Sequence, residues 1–423
     1  MFSVTSLGFL PFMALFVCLW YRVPQPSRWK LVLAANAVFC LSIDIGAFFA
    51  VALATAVVWQ AAQHVQPEQP SRRGWLALGL AAALLPLLVL KYSGMLVPGL
   101  RDLYKPFGLA YYSLQLAGYL LDVWHGRTAP TPSYARLWCY AGFFLSLTQG
   151  PFNRYNTLMP QLEAAPKTFE TQRLVSGLQR SAWGYFKKFA IADRAAIVVS
   201  AAFADPASFD RSQLIFATVM YSFQLYADFS GYTDIVLGMG EILGLHLPEN
   251  FRQPFFSASV KELWARWHIS LSQWFRDYVY IPLGGNRVSV LRWCFNMFVV
   301  WLLSGLWHGA GWNFLFWGLW FAFFLILEKL FLGDILESVP KVFGRIYTLA
   351  VVLISWVFFA LESPGEILAY LQAMFGMNGI GPVNSLAMFL CNEYLVLLVI
   401  ALVVLLVAKP EDLPATMRRI GII

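Results

Sequence analysis

Two histidines stand where a chain this apolar has little use for an ionisable side chain. His268 lies in Lys261 to Tyr280, KELWARWHISLSQWFRDYVY, and His308 in Leu302 to Trp320, LLSGLWHGAGWNFLFWGLW. Imidazole is the side chain whose ordinary pKa lets it take or give a proton near neutrality. A titratable group at membrane depth is costly and marks a functional position. Around His308 stand the small residues Ser304, Gly305, Gly309, Ala310 and Gly311, with Trp307 and Trp312 on either side. Small residues let another helix, or an extended substrate, approach the backbone. Plain helix packing with an incidental histidine explains the same pattern.

On a helix turning about 100° per residue, His268 falls on one face with Trp264, Trp267, Leu271, Phe275 and Tyr278. Glu262, Arg266, Gln273, Arg276 and Asp277 fall opposite. The expectation is a continuous amphipathic helix over 261–280 with its histidine on the apolar side. A histidine bonded to a neighbouring backbone group accounts for that position as well as a catalytic one does.

Other chemistries lack their residues. There is no GxSxG elbow for a serine hydrolase, no HExxH or paired Cys/His spacing for a metal and no phosphate-binding loop. What remains is a histidine general base reached through a tunnel, suited to acyl transfer from a thioester to a hydroxyl. Asn313 or the indole N–H of Trp307 or Trp312 would then steady the oxyanion.

These residues need elements to hold them. Of 423 residues, 59% are hydrophobic and 13% charged, against roughly 25% charged in an average soluble domain. The length suits roughly ten or more membrane spans of about 20 residues. The net charge of +7 is explained by basic loops on the cytoplasmic side, and no groove-entering motif points to nucleic acid. Cys18, Cys40, Cys139, Cys294 and Cys391 are scattered through apolar runs and read as small buried hydrophobes.

The first span is expected from Leu7 to Trp20, retained rather than cleaved. Arg22, Arg28 and Lys30 follow it, and Arg72 and Arg73 recur later, which places both loops in the cytoplasm and the N-terminus outside. Leu31 to Gln63 reads as two short helices meeting at Asp44. Further spans are expected over 75–90, 110–123, 292–307, 313–331, 347–361 and 394–407, with Pro98 and its neighbours breaking 91–107. Lys409, Arg418 and Arg419 mark a cytoplasmic end. Gln149 sits in a Thr-Gln-Gly-Pro break that suits a re-entrant segment. Asp228, Ser230 and Asp234, in YADFSGYTD, cannot all face lipid and are expected to line a cavity.

Five further stretches appear beside the histidines: LAYYSLQLAGYLLDVWHGR, YAGFFLSLTQGPFNRY, GYFKKFAIADR, YSFQLYADFSGYTDIVLGMGEILGLHLPENFRQPF and YIPLGGNR. Together with the histidine motifs, over 109–320, the chain resembles the membrane-bound O-acyltransferase family in its alginate O-acetylase-like branch, though it is short for that branch. The resemblance implies an all-α polytopic fold in one embedded domain, 1–423. A ring of roughly eleven transmembrane helices, with re-entrant and interfacial ones, would surround a pore with two funnels. It makes His308 the catalytic histidine and His268 a second functional one. It assigns Arg266, Trp267, Arg276, Asp277, Tyr278, Asn286 and Arg287 to the cytoplasmic donor entrance.

The implied activity is acetyl transfer from acetyl-CoA, a co-substrate rather than a tightly bound cofactor. The acceptor would be a hydroxyl of an exported polysaccharide or of a periplasmic partner transferase. The setting is a bacterial inner membrane and its lipids, with no metal. D-alanyl transfer from a carrier protein to teichoic acid is the alternative within this chemistry. A transporter is the alternative outside it, because intramembrane carboxylates suit proton relays; the inverted repeats common in transporters are not visible in the sequence.

Overall fold

The computed structural model describes residues 3–377 apart from 7, 68, 98, 100–102 and 167, together with 388 and 392–406. Pro98, Cys391, Lys409, Arg418 and Arg419 lie outside the described residues. The described chain is helical, with no strand beyond an isolated bridge between Phe251 and Trp267. Its helices are α1 (Phe9–Arg22), α2 (Arg28–Ile43), α3 (Ile45–Ala62), α4 (Arg72–Leu96), α5 (Leu109–Trp124), α6 (Tyr134–Ala141), α7 (Tyr155–Ala164), α8 (Thr171–Phe186) and α9 (Asp193–Ala204). There follow α10 (Arg211–Ile242), α11 (Val260–Arg266), α12 (Ile269–Phe275), α13 (Val290–His308), α14 (Trp312–Leu327), α15 (Gly333–Ser338), α16 (Lys341–Ala360), α17 (Pro364–Met374) and α18 (Leu395–Leu406).

Five described helices are long and apolar enough to cross a membrane: Ile45–Ala62, Arg72–Met95, Val290–His308, Trp312–Ser338 and Lys341–Ala360. The protein is a multi-pass membrane protein. Helices dominate because a bilayer offers no water to bond an open backbone.

The chain forms two compact units, Met1–Ala182 with Tyr232–Glu249, and Trp183–Gly231 with Asn250–Ile423. In the first, α2 and α3 meet at Asp44, as expected from the sequence. Asp44 is extended, and its carboxylate accepts the Gly46 N–H at 2.9 Å, capping α3. The Thr-Gln-Gly-Pro stretch follows α6 as non-helical backbone, with Asn153 bonding the Ser146 hydroxyl at 2.7 Å. Cys40 and Cys139 are buried, whereas Cys18 is exposed and Cys294 half-buried. The reading of the cysteines as buried hydrophobes therefore fails at Cys18, which lies on the outer face of an apolar helix.

The second unit is built on the α13–α14 hairpin. A Cβ on Gly305 would lie 2.3 Å from the Phe314 carbonyl oxygen, and one on Gly318 2.3 Å from that of Trp301. Only glycine lets these backbones touch. Trp301, Trp317 and Phe321 fill the seam, with Trp264 of α11 set 4.6 Å from Trp301 and 4.8 Å from Phe321 between ring centroids.

Candidate active site

The continuous helix expected over 261–280 does not form. Residues Val260–Arg266 are helical, Trp267 is extended, and His268 takes φ 46° and ψ 50° before α12 begins. A left-handed backbone is uncommon outside glycine and is held only where its surroundings impose it. Those surroundings are visible. Arg252 N–H bonds Arg266 C=O at 2.9 Å, and Ile269 N–H bonds Asn250 C=O at 3.1 Å. Asn250, fully buried, accepts both the Ser270 N–H at 3.1 Å and the Ser270 hydroxyl at 2.6 Å through Oδ1. The strand-like strap 250–252 thus replaces helical bonds at the break. Helical periodicity could not reveal this, because the breaking partner lies well before the helix in sequence.

The break carries His268 inward, to 2% exposure. Its ring lies edge-on to Phe229 at 4.7 Å, 5.8 Å from Trp307 and 6.4 Å from His308. Segment 260–280 lies outside the candidate spans. Burial, with His308 adding to it, holds the His268 imidazole well below the usual histidine range. Folding therefore keeps it neutral where an unfolded histidine protonates, near about pH 6.5. That contribution to stability is complete above about 6.5 and is lost as pH falls from there towards the folded value. Comparing thermal melts across pH 5 to 8 should show a steeper acid loss in the wild type than in His268→Gln. Identical slopes would contradict the buried neutral ring.

His308 ends α13 and is half-buried, with Gly309 extended behind it. Its ring packs 4.8 Å from Trp317, 4.9 Å from Trp307 and 5.7 Å from Phe359. A Cβ on Gly309 would fall 1.9 Å from the Phe314 ring, so the small residues here serve α13–α14 packing directly. The two histidines come together with Trp307 against both. Asn313 is buried at the start of α14, whereas Trp312 is 58% exposed.

The donor-side candidates each have their own contacts. Arg266 pairs with Glu262 at 2.6 Å, and Trp267 is buried among Phe251, Phe255 and Trp356. Tyr278 is buried, with its ring 5.1 Å from Trp274. Arg276 bonds Asp277 at 2.8 Å on the surface, and Asn286 and Arg287 are exposed. The turn before them needs glycine: Gly284 has φ 106° and Gly285 φ 56°. Buried Asn296 pins that turn by donating to the carbonyls of Leu283 and Gly285, both at 3.2 Å.

Three of the candidate cavity residues, Asp228, Ser230 and Asp234, are engaged in pairs. Asp228 binds Lys188 at 2.6 Å, and Ser230 accepts from buried Lys187 at 2.9 Å. In the other unit Asp234 holds Arg180 at 3.0 Å, Arg180 also binds Glu249 at 2.7 Å, and Gln149 is exposed.

Sequence reading missed Asn250, Phe229 and Asn296, and also Glu328. Glu328 sits in a π-helical turn after α14, 6% exposed, and accepts the N–H groups of Val260 at 2.6 Å and Lys261 at 3.0 Å. A carboxylate at the positive end of α11 is favourable, and it fixes the helix that leads into His268. Its one sequence signal was a lone acid inside an apolar run. Glu328→Ala leaves the buried Val260 N–H unmet, at about 1–3 kcal/mol, and also removes the acceptor of the part-buried Lys261 N–H. The melting temperature should drop by several degrees, with Glu328→Gln, which keeps one acceptor, in between. An unchanged melt for the alanine variant would exclude the clamp.

Comparison with known proteins agrees with this architecture. The model of the membrane-bound O-acyltransferase family matches residues 87–364. The chain is 32% identical over 386 residues to a probable alginate O-acetylase AlgI of Azotobacter vinelandii, covering 87% of this chain and 76% of that one. It is 31% identical over 359 residues to a peptidoglycan O-acetyltransferase of Helicobacter pylori, covering 75% and 68%. It is 28% identical over 302 residues to a teichoic acid D-alanyltransferase of Bacillus subtilis, covering 66% and 75%. With a family match across most of its length and relatives above 30% identity, the chain belongs to the membrane-bound O-acyltransferase family, as its paired histidine motifs led one to expect.

Proposed function

We propose that this acyltransferase moves an acetyl group from acetyl-CoA on the cytoplasmic side of a bacterial inner membrane to a hydroxyl beyond it. The acceptor is a sugar of an exported polysaccharide or a serine of a periplasmic partner transferase. The pairing of His268 and His308, from separate segments, at 6.4 Å between ring centroids carries the reading. The relatives named for O-acetylation support acetyl as the acyl group and a glycan as the acceptor.

In the proposed step His308 takes the proton of the acceptor hydroxyl, and the oxygen attacks the thioester carbonyl. The new C–O bond forms, the C–S bond breaks, and the thiolate leaves and gains a proton. His268, neutral and held by its strap, orients the thioester or a neighbouring group. Asn313 or the Trp307 indole steadies the oxyanion. Arg266, Arg276 and Arg287 favour the phosphates of the donor. In this reading the thioester enters as a co-substrate from one face of the membrane and the acceptor hydroxyl is reached from the other.

The test is purified protein in proteoliposomes with radiolabelled acetyl-CoA and an acetylatable oligosaccharide. Labelled glycan, or label on a partner serine, is the expected product. Thioester left intact under all acceptors would overturn the reading in favour of transport. Turnover only with a D-alanyl carrier protein would favour teichoic acid as acceptor, the chemistry of the Bacillus subtilis relative.

A further inference from the structure

At the first turn of α16 lies a pocket whose Lys341 and Arg345 have no part in the acyl-transfer step. It encloses about 400 Å³ and presents Arg266, Lys341, Arg345 and Glu262 over Phe256 and Ala258. Three cations face one carboxylate. That carboxylate is already engaged, accepting Arg266 at 2.6 Å and the Ala258 N–H at 2.7 Å, so the positive charge of Lys341 and Arg345 has no counterpart among the lining residues. The pocket is built rather than incidental. A Cβ on Gly344 would lie 2.4 Å from the Ala258 carbonyl oxygen, so α16 is pressed onto this stretch. Lys341 and Arg345, one turn apart, share a helix face. Arg345 is anchored by Nε donating to Phe256 C=O at 3.2 Å.

What lies beside the pocket chooses the ligand. Lys341 begins the candidate span Lys341–Ala360, which puts the pocket at the edge of the apolar layer. On the same turns Val342, Phe343 and Ile346 are 52%, 59% and 59% exposed. A soluble phosphate has no use for that surface, whereas acyl chains cover it. We propose that the pocket holds the headgroup phosphate of an anionic phospholipid, with its chains along Val342, Phe343 and Ile346. Basic pockets at helix ends take such headgroups. A zwitterionic headgroup brings an ammonium that would meet Lys341 and Arg345, with Glu262 already committed.

Native mass spectrometry of the full chain, after delipidation and addition of a defined lipid, tests this. Wild type should retain phosphatidylglycerol about tenfold over phosphatidylcholine, the ratio that a difference of about 1.4 kcal/mol gives. Lys341→Gln with Arg345→Gln should bring the two to parity, and Lys341→Arg with Arg345→Lys should keep the preference. Millimolar coenzyme A or inorganic phosphate should not displace the lipid. Equal retention of both lipids by wild type would overturn the proposal. So would an unchanged preference in the double glutamine variant, or displacement by coenzyme A, which would assign the pocket to a soluble phosphate. Should the double variant fail to fold, single Lys341→Gln reads the same comparison.

Discussion

Replacing His308 by alanine should lower acyl transfer by about 10²–10⁴-fold, the usual worth of a positioned general base, while the protein stays folded in the membrane. The half-buried ring ends α13 and leans on Trp317 and Trp307, so its removal trims packing without opening the α13–α14 seam. Substituted enzyme should therefore purify and melt close to wild type, and the loss should fall on kcat rather than KM. Activity within tenfold of wild type would remove His308 from the chemistry and favour a packing role.

Gly318→Ala should produce a large stability loss for a single methyl group. Its Cβ would stand 2.3 Å from the Trp301 carbonyl oxygen, within an α-helix that cannot give way locally. Gly305 makes the reciprocal approach to Phe314 C=O at 2.3 Å, so α13 and α14 must separate or slide. Overpacking of this kind costs about 1–3 kcal/mol, and the slide would draw Trp317 away from His308. Melting temperature and activity should fall together. Gly365→Ala is the control: a Cβ there meets nothing within 4 Å, and reduced freedom of the unfolded chain should leave stability unchanged or raised by about 0.4–1 kcal/mol. A Gly318→Ala protein as stable as wild type would refute the contact.

Much of the helical frame was legible because membrane spans write themselves in composition. The α2–α3 break at Asp44 was readable as a polar residue inside an apolar run, and the structure makes it a helix cap. The small residues near His308 were equally visible. Their work is hairpin packing, which sequence could weigh against substrate access but not decide. The broken segment at His268 was illegible. The residues that define the two faces between Lys261 and Tyr280 fit helical periodicity, and the break comes from Asn250 to Arg252, a strap whose bonds compete with the helix's own.

By itself, then, the sequence determined a helical membrane protein, its family and the two histidines, since composition and motifs are local properties. Tertiary structure alone decided that His268 leaves its helix in a left-handed turn, that it meets His308 across Trp307, and that Glu328 clamps the helix leading into it. Those outcomes depend on bonds between residues far apart in the chain, which local pattern does not encode. The two histidines come together because the strap, the glycine seam and the buried carboxylate hold three separate segments at once.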